Sequence, residues 1–238
     1  MIKKLILHSA IVLNLIALAY AILLFFPQPL FSNEIKIKNF QIYSHQPIPL
    51  EKIIDDVYEQ LRKIDGFDEN DTYTIFFCDS YLEYLMLHPI GPNSFGYTSS
   101  FTNYIILSVA DWNEETIVAR NSLSRKIQTV LTHEIGHVLI DKKFGKIKSL
   151  SIPKWKEEGY CDFISKDSSF DVKKGIELLK SNQRIDSYSF KYFEYRLCVT
   201  YLLEVENLNI ETLVEREHDF EVVRAKALDA VITQKLKL

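Results

Sequence analysis

The sequence predicts an α+β fold, a small mixed sheet packed on a mainly helical C-terminal half, preceded by one N-terminal transmembrane helix. Three observations predict it. A long apolar run opens the chain, strand-like runs cluster between it and about residue 110, and from about Ser122 the apolar spacing is helical throughout. Strands followed by helices point away from a sheet built of repeated parallel βαβ units.

The opening run, Leu5 to Phe26, is interrupted only by His8, Ser9 and Asn14 among strongly polar types. As a helix its 22 residues would extend roughly 33 Å, enough to cross a hydrocarbon core of about 30 Å. The predicted organisation is a tail at 1–4, an anchor at 5–26, a linker at 27–33 opened by Pro27 and Pro29, and one domain at 34–238. Lys3 and Lys4 favour a cytoplasmic N-terminus with the domain outside, although Lys36 and Lys38 weaken that bias. The alternative is a cleaved signal peptide and a secreted domain, with Ala19-Tyr20-Ala21 as the small-x-small triplet; cleavage there would strand Ile22-Leu23-Leu24-Phe25-Phe26 as an apolar tail.

The elements of the domain are read from its periodicities. Glu34 to Tyr43 alternates as a strand, Leu50 to Ile64 has helical spacing, and Thr72 to Cys78 and Tyr104 to Val109 read as strands, the latter after a Gly91-Pro92-Asn93-Ser94 turn. Helices are predicted at Ser122 to Lys143, Pro153 to Ser165, Val172 to Leu179, Ser187 to Glu206 and Phe220 to Lys235. A net charge of −4, more acidic still without Lys3 and Lys4, excludes non-specific nucleic-acid binding through phosphate neutralisation. Cys78, Cys161 and Cys198 make neither a disulfide framework nor a cysteine zinc cluster. The oligomeric state is left open.

Residues 133–137 read His-Glu-Ile-Gly-His within a helical stretch. Side chains four apart share a helix face, so His133 and His137 can reach one metal ion, and Glu134 stands beside it as a proton acceptor for metal-activated water. His218 is the only later histidine, and Lys143 occupies the place of a third histidine six residues after the second. A carboxylate must complete the set. Trp155 to Asp162 opens a helix after Pro153 in which Glu158 and Asp162 face the same way; Glu158 is assigned as ligand, and Asp162 as the acceptor that orients a ligand imidazole. Glu157 and Glu158 also fit a plain solvated acidic first turn. Cys161 is expected to point away from the Glu158 face as a buried thiol.

Together, His-Glu-Ile-Gly-His and Trp-Lys-Glu-Glu-Gly-Tyr-Cys-Asp resemble the gluzincin group of metallopeptidases, with its thermolysin-like and aminopeptidase-N-like branches. The resemblance spans about residues 72–216 loosely and is specific at 133–137 and 155–162. It implies a zincin-like fold, one Zn2+ ion and Glu158 as third ligand. By the aminopeptidase-like pattern it puts the oxyanion-stabilising tyrosine at Tyr192, with Tyr195 as substitute; the same helix also fits an ordinary core stripe. It further implies an edge strand over the site, with Tyr104, Ile105 and Ile106 binding an extended substrate, although this run fits an internal strand as well. The chain lacks the Gly-x-Met-Glu-Asn segment that holds a free amine in aminopeptidases, which favours endopeptidase action. The expectation is a membrane-anchored zinc peptidase acting on peptide or protein substrates, with Glu134 and Tyr192 catalytic. The alternative is an inactive membrane-tethered zinc-binding or interaction domain.

Overall fold

The computed structural model describes residues 2–91 and 93–238, with side chains from residue 8 onward. Met1, Pro92 of the expected turn, and the side chains of Lys3 and Lys4 lie outside the described residues. The chain groups into two compact units, one running to Leu50 and resuming at Thr72–Ser124, the other formed by Glu51–Asp71 and Arg125–Leu238.

The first unit begins with helix α1 (Ile2–Phe25), long and apolar enough to cross a membrane. A 3-10 turn at Gln28–Leu30 comes next, with Pro27 at its N-cap and Pro29 inside. Strands β1 (Asn33–Ile37) and β2 (Phe40–Ser44) pair antiparallel, so the single strand expected at 34–43 is a hairpin. Its turn falls at the one place where the alternation skips, between Ile37 and Phe40, with Lys38 left-handed at φ 53°. The connection from β2 carries α2 (Glu51–Leu61), which belongs to the second unit, and leads to β3 (Tyr73–Phe77). Helix α3 (Tyr81–Leu87) is capped by Ser80, whose hydroxyl accepts from the Glu83 N–H, and precedes β4 (Gly96–Thr98) and β5 (Ile105–Leu107).

The sheet order is β1-β2-β3-β5-β4, with β2/β3 and β3/β5 parallel and β4/β5 antiparallel. This corrects the expected edge. Ile105 and Ile106 pair with Ile75 and Phe76 on one side and with Thr98 and Tyr97 on the other. Their backbone groups are taken, and the outer position belongs to Gly96–Thr98. The role predicted for Tyr104, Ile105 and Ile106 in adding a substrate strand therefore has no free edge to use. The Tyr104 hydroxyl accepts from Gln28 Nε2 at 2.9 Å. Phe31, Phe76, Tyr84, Leu87 and Ile106 form the core of this unit. Strands β6 (Val109–Asp111) and β7 (Thr116–Val118) make a further hairpin, and β8 (Ser124–Lys126) runs directly into the next helix. The helix expected from Ser122 thus starts at Ile127; Ser122 itself is a left-handed turn residue at φ 61°.

The second unit is helical: α2 joins α4 (Ile127–Phe144), α5 (Lys146–Ser149), α6 (Lys154–Ser165), α7 (Val172–Lys180), α8 (Tyr188–Thr200), α9 (Ile210–Glu215) and α10 (Phe220–Ile232). The helix expected through Glu206 changes to a π-turn at Tyr201–Val205. Capping is local: Asp171, Ser187 and Asp219 each accept from the backbone N–H three residues on. The core gathers Ile140, Cys161, Ile164, Phe190, Phe193, Leu197 and Leu213. The observed architecture is α+β with small sheets and a helical C-terminal half.

Candidate metal centre

Helix α4 is apolar around most of its circumference, burying Ile127, Val130, Leu131, Ile135, Val138, Leu139 and Ile140. A helix of that kind belongs inside a core, and it takes His133 and Glu134 in with it. Two glycines set how closely its neighbours approach. A Cβ on Gly136 would lie 2.9 Å from Cys161 Sγ and 3.3 Å from Cys161 Cα on α6; a Cβ on Gly159 would lie 2.5 Å from the Tyr195 carbonyl oxygen on α8. α4, α6 and α8 therefore stack at distances that a larger residue at either position would not allow.

That stacking gathers the charged groups of α4 and α6. Glu158 Oε2 lies 3.3 Å from His133 Nε2 and 3.7 Å from His137 Nε2. The other nitrogen of each ring is also engaged: His133 Nδ1 donates to Asp162 Oδ1 at 2.8 Å, and His137 Nδ1 donates to Glu157 Oε1 at 2.8 Å. These contacts orient both imidazoles with Nε2 facing Glu158. In a tetrahedral site with ligands at about 2.0–2.1 Å, neighbouring donor atoms stand about 3.3–3.4 Å apart. The separation from Glu158 to His133 matches that edge length, and the one to His137 exceeds it by about 0.3 Å.

Cys161 departs from expectation. It is a fully buried free thiol, but it lies against Gly136 and His137, and one ligand atom from each of His133, His137 and Cys161 lies within 4.8 Å of the others. These three residues form a group able to hold a metal ion. The thiol turns inward because Cys161, one turn beyond Glu158, occupies the line where α6 meets α4, which spacing within α6 does not reveal. It is pushed up to about 12 by burial, against the opposing pull of His137.

Electrostatics separate the donors. Burial opposes charge on His133, but Asp162 and Glu158 outweigh it and raise the imidazole to about 8. Burial likewise pushes Glu158 up, and the two imidazoles more than reverse this, bringing the carboxyl down to about 2. Behind Asp162 stands Arg125, almost fully buried, whose Nη2 donates to Asp162 Oδ1 at 2.8 Å and to the Asp167 carbonyl at 3.0 Å, while Nε reaches Asp167 Oδ2 at 3.2 Å. Asp162 thus lies between His133 and a guanidinium, a buried carboxyl with a cationic partner.

Tyr192, on α8, has its phenol raised well above the ordinary range, by burial first and then by the charge of Glu158 and a hydrogen bond to it, with Asp162 and Glu134 adding. Tyr195 instead packs its ring edge-on to Phe220 at 5.6 Å. Of the predicted residues, the structure brings together His133, His137, Glu158, Asp162 and Tyr192, with Glu134 buried on α4 between the two histidines. Sequence reasoning misses Glu157, Arg125 and the inward position of Cys161. Glu157 has a signal: two ligand histidines need two acceptors, and Asp162 serves only one of them. Comparison with protein-family models, curated proteins and solved structures finds no match.

Proposed function

We propose that the chain is a membrane-anchored zinc peptidase, most simply an endopeptidase, held to the bilayer by α1 with its N-terminus cytoplasmic. The observation that carries this reading is the Glu158 carboxylate set 3.3 and 3.7 Å from two Nε2 atoms whose rings are each oriented by a second carboxylate. Zn2+ suits two imidazoles and a carboxylate, and Glu158, already ionised, is a readier donor than the protonated thiol of Cys161. Bound there, zinc would acidify a water and polarise the substrate carbonyl.

The chain's own residues supply the rest. Glu134 accepts a proton on its carboxylate as water attacks, then delivers it to the leaving nitrogen. Tyr192, kept protonated by its surroundings, donates its O–H to the oxygen that gains charge. Asp162 and Glu157 hold the imidazoles in place while charge moves.

The test is cleavage of unstructured peptides by the purified full chain, with and without chelator, beside Glu134→Gln. The reading predicts chelator-sensitive cleavage that Glu134→Gln loses while keeping its metal. Zinc bound by a wild-type chain that cleaves nothing would favour a tethered zinc-binding or interaction domain.

A further inference from the structure

We propose that a surface of the first unit, formed by Leu82, Met86, Ile90 and Phe101, sits in the interfacial layer of the bilayer that α1 crosses. This rests on the reading of α1 as a membrane anchor. Leu82 and Met86 are one turn apart on α3, on one face, and Ile90 lies just beyond its end. Leu82 is 76% exposed, Ile90 90% and Phe101 76%, a concentration of large apolar groups that water alone does not favour.

The end of α1 identifies what covers this surface. Tyr20 Oη donates to the Met86 carbonyl at 2.8 Å, and the Phe25 and Phe101 rings lie 6.2 Å apart. The last two turns of the anchor are therefore joined at two points to the patch. Tyr20 lies six residues, about 9 Å, before the C-terminal end of the Leu5–Phe26 anchor, and Phe25 lies at that end. Both contacts therefore fall in the last third of the anchor, at and just inside the boundary between acyl chains and headgroups. Because α3 is bonded to the anchor at that level, Leu82, Met86 and Ile90 meet lipid there, and Phe101 adds an aromatic ring beside Phe25.

The experiment uses the full chain in nanodiscs, one copy per disc. Leu82→Cys, Ile90→Cys and Phe101→Cys are labelled with a fluorophore, with the exposed Glu114→Cys as control; the three native cysteines are buried, and their background labelling is measured on the wild type. Labels at 82, 90 and 101 should be quenched by lipids carrying a shallow nitroxide and protected several-fold from aqueous iodide relative to the label at 114. Iodide quenching equal to that at 114, or protection appearing only in discs with two copies, overturns the proposal. Flotation with vesicles reports the anchor separately. A chain that floats while its labels stay open to iodide defeats the patch alone, and a chain that does not float defeats the anchor and the patch together.

Discussion

Two buried histidines, His88 in the sheet-bearing unit and His133 in the helical one, are displaced in opposite directions. His88 stacks on Tyr97 with ring centroids 3.9 Å apart, and burial alone brings it down to about 4. Burial presses on His133 in the same sense, yet Asp162 at 2.8 Å and Glu158 at 3.3 Å reverse it and raise the ring to about 8. An apolar surrounding makes a neutral imidazole; carboxylates on both nitrogens orient the ring and hold on it a proton that a metal ion would have to displace.

Substitutions can break or sharpen this contrast. The largest effect is expected at the carboxylate proposed as proton acceptor: Glu134→Gln should lower cleavage by about 10²- to 10⁴-fold, with metal content unchanged by elemental analysis. At His88 the readout is stability. Its folded-state value lies below the ordinary 6.5, so its contribution is fully present above about pH 6.5 and is lost as pH falls towards 4. The loss amounts to at most about 3 kcal/mol, and denaturant unfolding of wild type against His88→Phe across that window should show the difference shrinking on the acid side. Asp162→Asn should weaken zinc binding about 10- to 100-fold in competition titrations. In the metal-free chain it should also lower His133, tracked by NMR, from its wild-type value near 8, in the direction of His88. Glu157→Gln should act in the same direction but less, near the lower end of that range, because Glu157 is partly open to water whereas Asp162 is fully buried.

What could be read from the sequence was what depends on local geometry. His133 and His137 share a face because they are four apart on one helix, and Glu158 and Asp162 do so for the same reason. Which side of α6 turns inward depends instead on Gly159 meeting the backbone of Tyr195, a contact 36 positions along the chain. The inward placement of Cys161, and Glu157 reaching His137, therefore stayed hidden. Arg125 pairs with Asp162 at a separation of 37 residues, outside any local pattern. The same limit explains the sheet: Ile105 and Ile106 carry a strand signal, but whether a strand is central or at the edge is decided by its partners, here Ile75 and Phe76 on one side and Tyr97 and Thr98 on the other. The β1–β2 hairpin reads as one strand in the sequence, because the skip in the alternation between Ile37 and Phe40 is a single residue and the turn there carries no Gly or Pro.

In the proposed site Glu158, rather than Cys161, completes the donor set of His133 and His137. X-ray absorption at the zinc edge of the full chain, purified without chelator, tests it most directly. The expected result is one zinc per chain with a first coordination sphere of nitrogen and oxygen at about 2.0–2.1 Å. A sulfur neighbour at about 2.3 Å, or a chain that carries no zinc, would contradict it.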